Sequence, residues 1–93
     1  LQSLIVYFHQ AAAQRGLQLI SDDLTPIKCI LSGDNQRTLA LQKTLQAKGF
    51  LVAAIRPPTV PVHQARLRIS LNIDLCEQDI TDLLDIVAEH LSP

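Results

Sequence analysis

The chain has 93 residues, a formal net charge of −1, and 47% apolar but only 3% aromatic residues. This length fits a single domain whose core is built from aliphatic side chains. The near-neutral charge offers no broad basic surface, which argues against a nucleic-acid-binding domain. No apolar run approaches the roughly 20 residues that span a bilayer, and no signal-peptide pattern is visible, so we expect no membrane association.

The cysteines and the missing methionine bear on where the chain comes from. Cys29 and Cys76 lie far apart and outside any CxxC or Cys/His spacing, so a zinc site is not indicated. We expect both thiols to be reduced, in or near the core of a cytoplasmic protein. The chain contains no methionine, even at position 1, and it begins inside a helical pattern. We therefore expect it to be a piece of a longer protein.

The first third of the chain predicts a helix and then a strand. Apolar residues follow helical spacing over residues 1–15, and Gly16 can end that helix. A connection then leads to Pro26. Residues 27–31 are mostly apolar and predict a first strand with a central place in its sheet.

A short polar turn, Ser32–Asn35, precedes a second helical segment over about residues 35–48. A phosphate-binding loop is one interpretation, but the turn lacks the glycine spacing and the Lys-Ser/Thr pair of a P-loop. A turn with a helix cap explains it, and Asp34 is the favoured N-cap residue. Gly49 suits the left-handed position after the helix. We expect three residues of this helix to face inward, Thr38, Leu41 and Leu45, with Leu39 near them.

Two further strands and a last helix complete the pattern. Residues 50–55 predict a second strand, and residues 66–71 predict a third, in which apolar and polar residues alternate. An Asp-x-x-Glu capping box, Asp74 with Glu77, predicts the start of the last helix. An apolar stripe then continues to the end of the chain through Ile80, Leu83, Leu84, Val87 and Leu91.

The order α-β-α-β-β-α predicts an α+β domain, with a mainly antiparallel sheet and helices on one sheet face. We expect residues 1–25 to form an entering helix and linker, and residues 26–93 to form the domain. The opposite sheet face would be uncovered in isolation. We therefore expect another domain to lie against it.

The candidate site combines this open face with the proline loop, defined here as residues 56–64. Its prolines fix φ and restrict the residues before them, so Arg56 and Thr59 sit on a stiff connection. Thr59 either decorates a turn or contacts a ligand. Arg66 and Arg68 project from the third strand, where guanidinium groups could bind a carboxylate or phosphate. A solvated strand face is the alternative, and alternation alone does not rank the two arginines.

The three histidines form no partner pattern. We expect His9 and His90 to be solvated on helix surfaces, whereas His63 lies in the proline loop, where a general-base role stays open. No Ser/His/Asp or Cys/His arrangement is legible in the sequence. The residues therefore indicate anion binding more than catalysis.

Four segments carry a resemblance to a known family: Ile30–Asn35, Gly49–Pro61, Ala65–Leu71 and Gln78–Ile80. The chain resembles the C-terminal domain of α-oxoamine synthases, which are pyridoxal-phosphate (PLP) enzymes of fold type I. The string Ile-Arg-Pro-Pro-Thr-Val-Pro resembles the 8-amino-7-oxononanoate synthase branch of biotin biosynthesis. Sister enzymes such as aminolevulinate synthase usually carry an aromatic-Tyr-Pro-x-Val-Pro type of sequence there.

The resemblance implies a decarboxylating condensation of L-alanine with a pimeloyl thioester, carried by CoA or by acyl carrier protein. By the same resemblance, Arg68 would bind the carboxylate of the amino acid and Thr59 would contact substrate. Arg56 would face the acyl substrate or its carboxylate end. Two alternatives stay open: another α-oxoamine synthase with an acetyl- or succinyl-CoA donor, and a non-catalytic anion-binding α+β module.

The resemblance also implies what the chain lacks. The Schiff-base lysine and the other PLP contacts of the family belong to a large domain, and Lys28, Lys43 and Lys48 do not match the lysine motif. We therefore expect no catalytic, cofactor-binding or metal residue here, and no activity from this piece alone. The parent would be a cytoplasmic homodimer. His63 replaces the glycine that the family commonly has, so the backbone of the proline loop is expected to differ.

Overall fold

The computed structural model describes residues 2–20 and 25–91. Its elements follow the predicted order: α1 (Gln2–Gln14), β1 (Ile27–Leu31), α2 (Asn35–Ala47), β2 (Val52–Ile55), β3 (Arg66–Ser70) and α3 (Glu77–Leu91). The predicted α+β class is confirmed. Leu1, part of the predicted linker (21–24) and the last two positions (92–93) lie outside the described residues.

The sheet has three antiparallel strands in the order β1-β3-β2. The prediction that β1 is central is wrong, since β3 holds that place. Residues 18–20 pair with part of the outer edge of β1: the amide of Leu31 donates to Gln18 O at 2.9 Å, and the amide of Ile20 donates to Cys29 O at 3.0 Å. Ile27 is nevertheless 53% exposed. The apolar run thus reflects an open sheet face and not a central strand.

The core is aliphatic, with one large aromatic side chain at its centre. Phe8 on α1 has an exposed fraction of 0% and is the largest fully buried side chain among the described residues. Helix α2 contacts β2, β3 and α3, and α1 contacts α3. The three inward residues expected of α2 are all buried: Thr38, Leu41 and Leu45. Leu39, expected near them, is 38% exposed.

Helix α1 is also tied to α3 by polar contacts. The hydroxyl of Tyr7 lies 2.6 Å from Oγ1 of Thr81. The guanidinium of Arg15 donates through Nε to Asp85 Oδ1 at 2.8 Å. The first helix therefore lies in the same layer as the last. Among the described helices, no apolar stretch has the length that a membrane span requires.

The helix caps are predicted correctly for α2 and wrongly for α3. Asp34 accepts the amide of Gln36 at 3.0 Å, as a helix N-cap does. At α3 the predicted Asp74–Glu77 box does not form. The residue just before α3, in the N-cap position, is Cys76. Its amide donates to Asp79 Oδ2 at 2.9 Å.

The reason for the shifted cap lies in the preceding turn. The amide of Asp74 donates to Asn72 Oδ1 at 2.9 Å, which commits Asp74 to a side-chain turn. The helix therefore begins two residues later than a box on Asp74 would require. The reciprocal half of a capping box remains, because the carboxylate at the third helical position still satisfies the N-cap amide.

Candidate functional site

The open sheet face carries the polar side chains of β3. Leu67 and Ile69 are buried against the helices, whereas Arg68 is exposed and Arg66 and Ser70 are half-buried. Successive side chains of a strand point to opposite faces, so the three polar residues share the face without helices. The predicted alternation is confirmed.

Arg68 occupies the middle of this face between two small neighbours. Cys29 of β1 and Ala53 of β2 are its directly opposite partners, and both are half-buried. Within the described part of the chain, the Arg68 guanidinium makes no ion pair and no hydrogen bond. It borders a shallow depression of about 260 Å³ that Leu51 and Ser70 also line. The guanidinium is thus available to an anionic ligand.

Arg66 is held differently from Arg68. Its Nε donates to the carbonyl oxygen of Gln64 at 3.2 Å, and its side chain is half-buried. That bond ties Arg66 to the end of the proline loop. The structure therefore separates two arginines that the alternation of the strand leaves equivalent.

The proline loop leaves the sheet next to this face. Arg56 and Thr59 are both exposed, and the amide of Thr59 donates to Arg56 O at 3.0 Å, which closes a turn. The Pro57–Pro58 peptide bond is cis. Arg56 follows the Ile55–Arg66 pair and stands three residues after Ala53, so the loop begins about 10 Å along the sheet from the row of Arg68. Arg56 and Thr59 therefore lie in the loop beyond the end of β2, whereas Arg68 lies in the middle of the open face. Among the residues described, no hydrogen bond joins the side chains of these three predicted site residues.

His63 adopts the left-handed backbone conformation, with φ at 66°. Histidine thus takes a conformation that glycine would adopt at lower cost. The His63 side chain is exposed and forms no hydrogen bond to another described residue. Nothing in this arrangement supports the general-base alternative.

The remaining histidines and the cysteines are only partly as expected. His9 and His90 are half-buried and thus only partly solvated, and the ring nitrogen Nδ1 of His90 lies 3.0 Å from Ile86 O. Both cysteines are free thiols. Cys29 is half-buried, but Cys76 is exposed, because it starts α3 at the surface.

The lysines of the chain do not fit a PLP site. Lys28 is only 1% exposed and shares the core side of β1 with Ile30, whereas Lys43 and Lys48 are exposed on and after α2. None of the three lies on the open face with Arg68. We therefore derive no chemistry through PLP from these residues. The described residues also contain no group of three metal-ligating side chains.

Sequence reasoning missed two features around the site. The spacing of Lys28 and Ile30 already indicated that Lys28 points inward, although its charge suggests otherwise. The second feature is a pair of glutamines on α2: Gln42 Oε1 accepts the amide of Ala54 at 2.7 Å, and Gln46 Nε2 donates to Val52 O at 3.0 Å. No local pattern predicts these contacts, since they depend on how α2 lies against β2.

No protein-family model matches the chain. Individual relatives do match. The 8-amino-7-oxononanoate synthase of Ectopseudomonas mendocina (strain ymp) is 49% identical over 89 residues, which are 96% of this chain and 23% of the relative. The enzyme of the same name from Nitrosococcus oceani is 47% identical over 91 residues, which are 98% of this chain and 24% of the relative. The chain thus spans about a quarter of the length of these curated relatives.

Solved structures match the fold. The crystal structure of 8-amino-7-oxononanoate synthase from Francisella tularensis superposes with a TM-score of 0.83 and 30% identity, over 95% of this chain and 25% of that one. A serine palmitoyltransferase from S. paucimobilis, solved with a bound PLP–myriocin aldimine, superposes with a TM-score of 0.73 and 20% identity, over 95% of this chain and 22% of that one. The chain is therefore homologous to 8-amino-7-oxononanoate synthases, and its three helices and antiparallel sheet match the C-terminal domain of that fold type I enzyme.

Proposed function

We propose that this chain is the small C-terminal domain of a PLP-dependent enzyme that makes 8-amino-7-oxononanoate from L-alanine and a pimeloyl thioester, with loss of carbon dioxide. The homology and the fold support this proposal. The observation that carries it is the exposed guanidinium of Arg68, which lies between two small uncharged neighbours on the open sheet face. This arrangement suits the recognition of a carboxylate.

In this proposal Arg68 binds the carboxylate of L-alanine and fixes the orientation of the amino acid. A guanidinium can donate two parallel hydrogen bonds to a carboxylate, a geometry that an ammonium group does not provide. Thr59 contacts the bound substrate from the proline loop through its hydroxyl. Arg56 faces the acyl donor, where its charge suits an anionic group of the thioester carrier or of the pimeloyl chain.

The proposal divides the work between this chain and the rest of its parent. PLP supplies the carbanion-stabilising chemistry and is held by a large domain, which includes the Schiff-base lysine. Residues 26–93 are the body of the small domain in this proposal, and residues 1–25 lead into it and add Phe8 of α1 to its core. The parent is a cytoplasmic homodimer, and the 93-residue chain alone neither binds PLP nor turns over. These statements follow from the resemblance to the family.

Isothermal titration of the full-length parent with L-alanine tests the proposed role of Arg68. Arg68→Ala is expected to weaken alanine binding by about 2–4 kcal/mol, because a charge-assisted contact is lost from the open face, which the large domain covers in this proposal. Arg66→Ala is the matched control on the same face, and it should leave alanine affinity within about twofold, since Arg66 is bonded to the proline loop. Unchanged affinity in Arg68→Ala would exclude the proposed role.

A further inference from the structure

The proline loop is held at both of its ends by contacts from α2 and from the turn that precedes α2. At the entry to the loop, Gln42 Oε1 accepts the amide of Ala54 at 2.7 Å, two residues before Arg56. Gln46, one helical turn further along α2, donates to Val52 O at 3.0 Å. Both bonds use backbone groups of β2 that point away from β3, because Leu51 O pairs with the amide of Ser70 on the other side.

At the exit from the loop, the carbonyl oxygen of Ala65 accepts three hydrogen bonds. The amides of Ser32 and Gly33 donate at 2.9 and 2.8 Å, and the hydroxyl of Ser32 donates at 3.0 Å. That hydroxyl also contacts Oγ1 of Thr38, a side chain with an exposed fraction of 0%. The exit of the loop is therefore fixed to the start of α2 through a buried contact.

We propose that Gln42 and Ser32 are positioning residues, which hold the two ends of the proline loop and thereby aim Arg56 at the acyl donor. This inference rests on the proposed function, since it takes the loop to be a substrate contact. Within the loop, the amide of Thr59 donates to Arg56 O and that of Gln64 donates to Pro61 O, at 3.0 and 3.1 Å. With the ends fixed and few internal degrees of freedom, the loop is organised before substrate arrives.

The test uses the full-length parent with PLP bound, and pimeloyl-CoA as the acyl-donor probe. Gln42→Met keeps the length of the side chain and removes the acceptor, whereas Gln42→Glu keeps an acceptor oxygen. Ser32→Ala removes the hydroxyl, and Ser32→Thr keeps it. Gln10→Met is the control, because the Gln10 side chain is exposed on α1 and bonds to no other described residue. Amide hydrogen exchange of the 56–64 peptide and the KM values for both substrates are measured in each variant.

Gln42→Met is expected to increase the amide exchange rate of the loop about three- to tenfold. The KM for pimeloyl-CoA should rise by the same factor, which corresponds to one lost hydrogen bond. Ser32→Ala should act in the same direction by about two- to fivefold, because two backbone donors to Ala65 remain. The KM for alanine should stay within about twofold in both, since Arg68 is held by β3. Gln42→Glu and Ser32→Thr should keep the wild-type values, and so should the control Gln10→Met.

Unchanged exchange in the loop of both Gln42→Met and Ser32→Ala would overturn the inference, whatever the Arg68 variants do. Faster exchange with an unchanged KM for pimeloyl-CoA would also overturn it, because the fixed loop would then have no effect on binding. A parallel rise in both KM values would indicate general destabilisation instead of positioning. The role of Arg68 is tested separately by alanine affinity, so either proposal can fail alone.

Discussion

Arg68 and Cys29 lie directly opposite each other on β3 and β1, with both side chains on the sheet face that the helices leave open. Opposite residues of an antiparallel pair have their Cβ atoms about 4.5–5.5 Å apart. The side chain at position 29 is therefore close enough to compete with a ligand for the guanidinium. A thiol does not compete, but a carboxylate would.

A carboxylate placed opposite Arg68 should weaken substrate binding. In the full-length parent, Cys29→Asp is expected to raise the Kd for L-alanine about three- to tenfold, because the new cross-strand ion pair occupies the guanidinium. Cys76→Asp is the matched control, since Cys76 is exposed at the start of α3 and away from this face. Equal alanine affinity in the two variants would show that position 29 does not face the bound carboxylate.

The left-handed backbone at position 63 should cost stability. His63→Gly is expected to raise the free energy of unfolding by about 0.5–1 kcal/mol, because relief of the left-handed conformation outweighs the added entropy of glycine in the unfolded chain. His63→Ala keeps the positive φ of 66° without glycine's freedom, so it should not stabilise. Chemical denaturation of the chain measures the free energy of unfolding of both variants. A His63→Gly variant less stable than the wild type would contradict the claim that the backbone at position 63 is strained.

The single large aromatic side chain in the core should dominate the effect of truncation. Phe8→Ala is expected to lower the free energy of unfolding by about 3–5 kcal/mol, since it leaves a cavity among aliphatic neighbours. Val6→Ala, on the same helix but 45% exposed, should cost under about 1 kcal/mol. If both variants lost a similar amount of unfolding free energy, the Phe8 side chain of α1 would not be part of the core.

Local features of this fold could be predicted from the sequence. The N-cap at Asp34 depends only on its neighbours, and the alternation of β3 depends only on its own side chains. The inward residues of α2 follow from helical spacing in the same way. Each of these predictions needs no knowledge of what the element lies against, and each is confirmed.

Features that depend on distant parts of the chain could not be predicted in this way. The apolar run of β1 is equally consistent with a central strand and with an edge strand that has an open face. The N-cap of α3 is not at the predicted Asp74, because the amide of Asp74 donates to the Asn72 side chain in the preceding turn. The difference between Arg66 and Arg68 depends on the carbonyl of Gln64, which alternation does not reveal.

The most direct test of the central claim compares two ligands that differ only in the carboxylate. L-alanine and L-alaninamide are titrated into the wild-type full-length parent and into its Arg68→Ala variant. The wild type is expected to prefer alanine by about thirtyfold or more, and Arg68→Ala should lose most of that preference while binding the amide about as well as the wild type does. A variant that keeps the full preference for alanine would contradict the assignment of Arg68 to the substrate carboxylate.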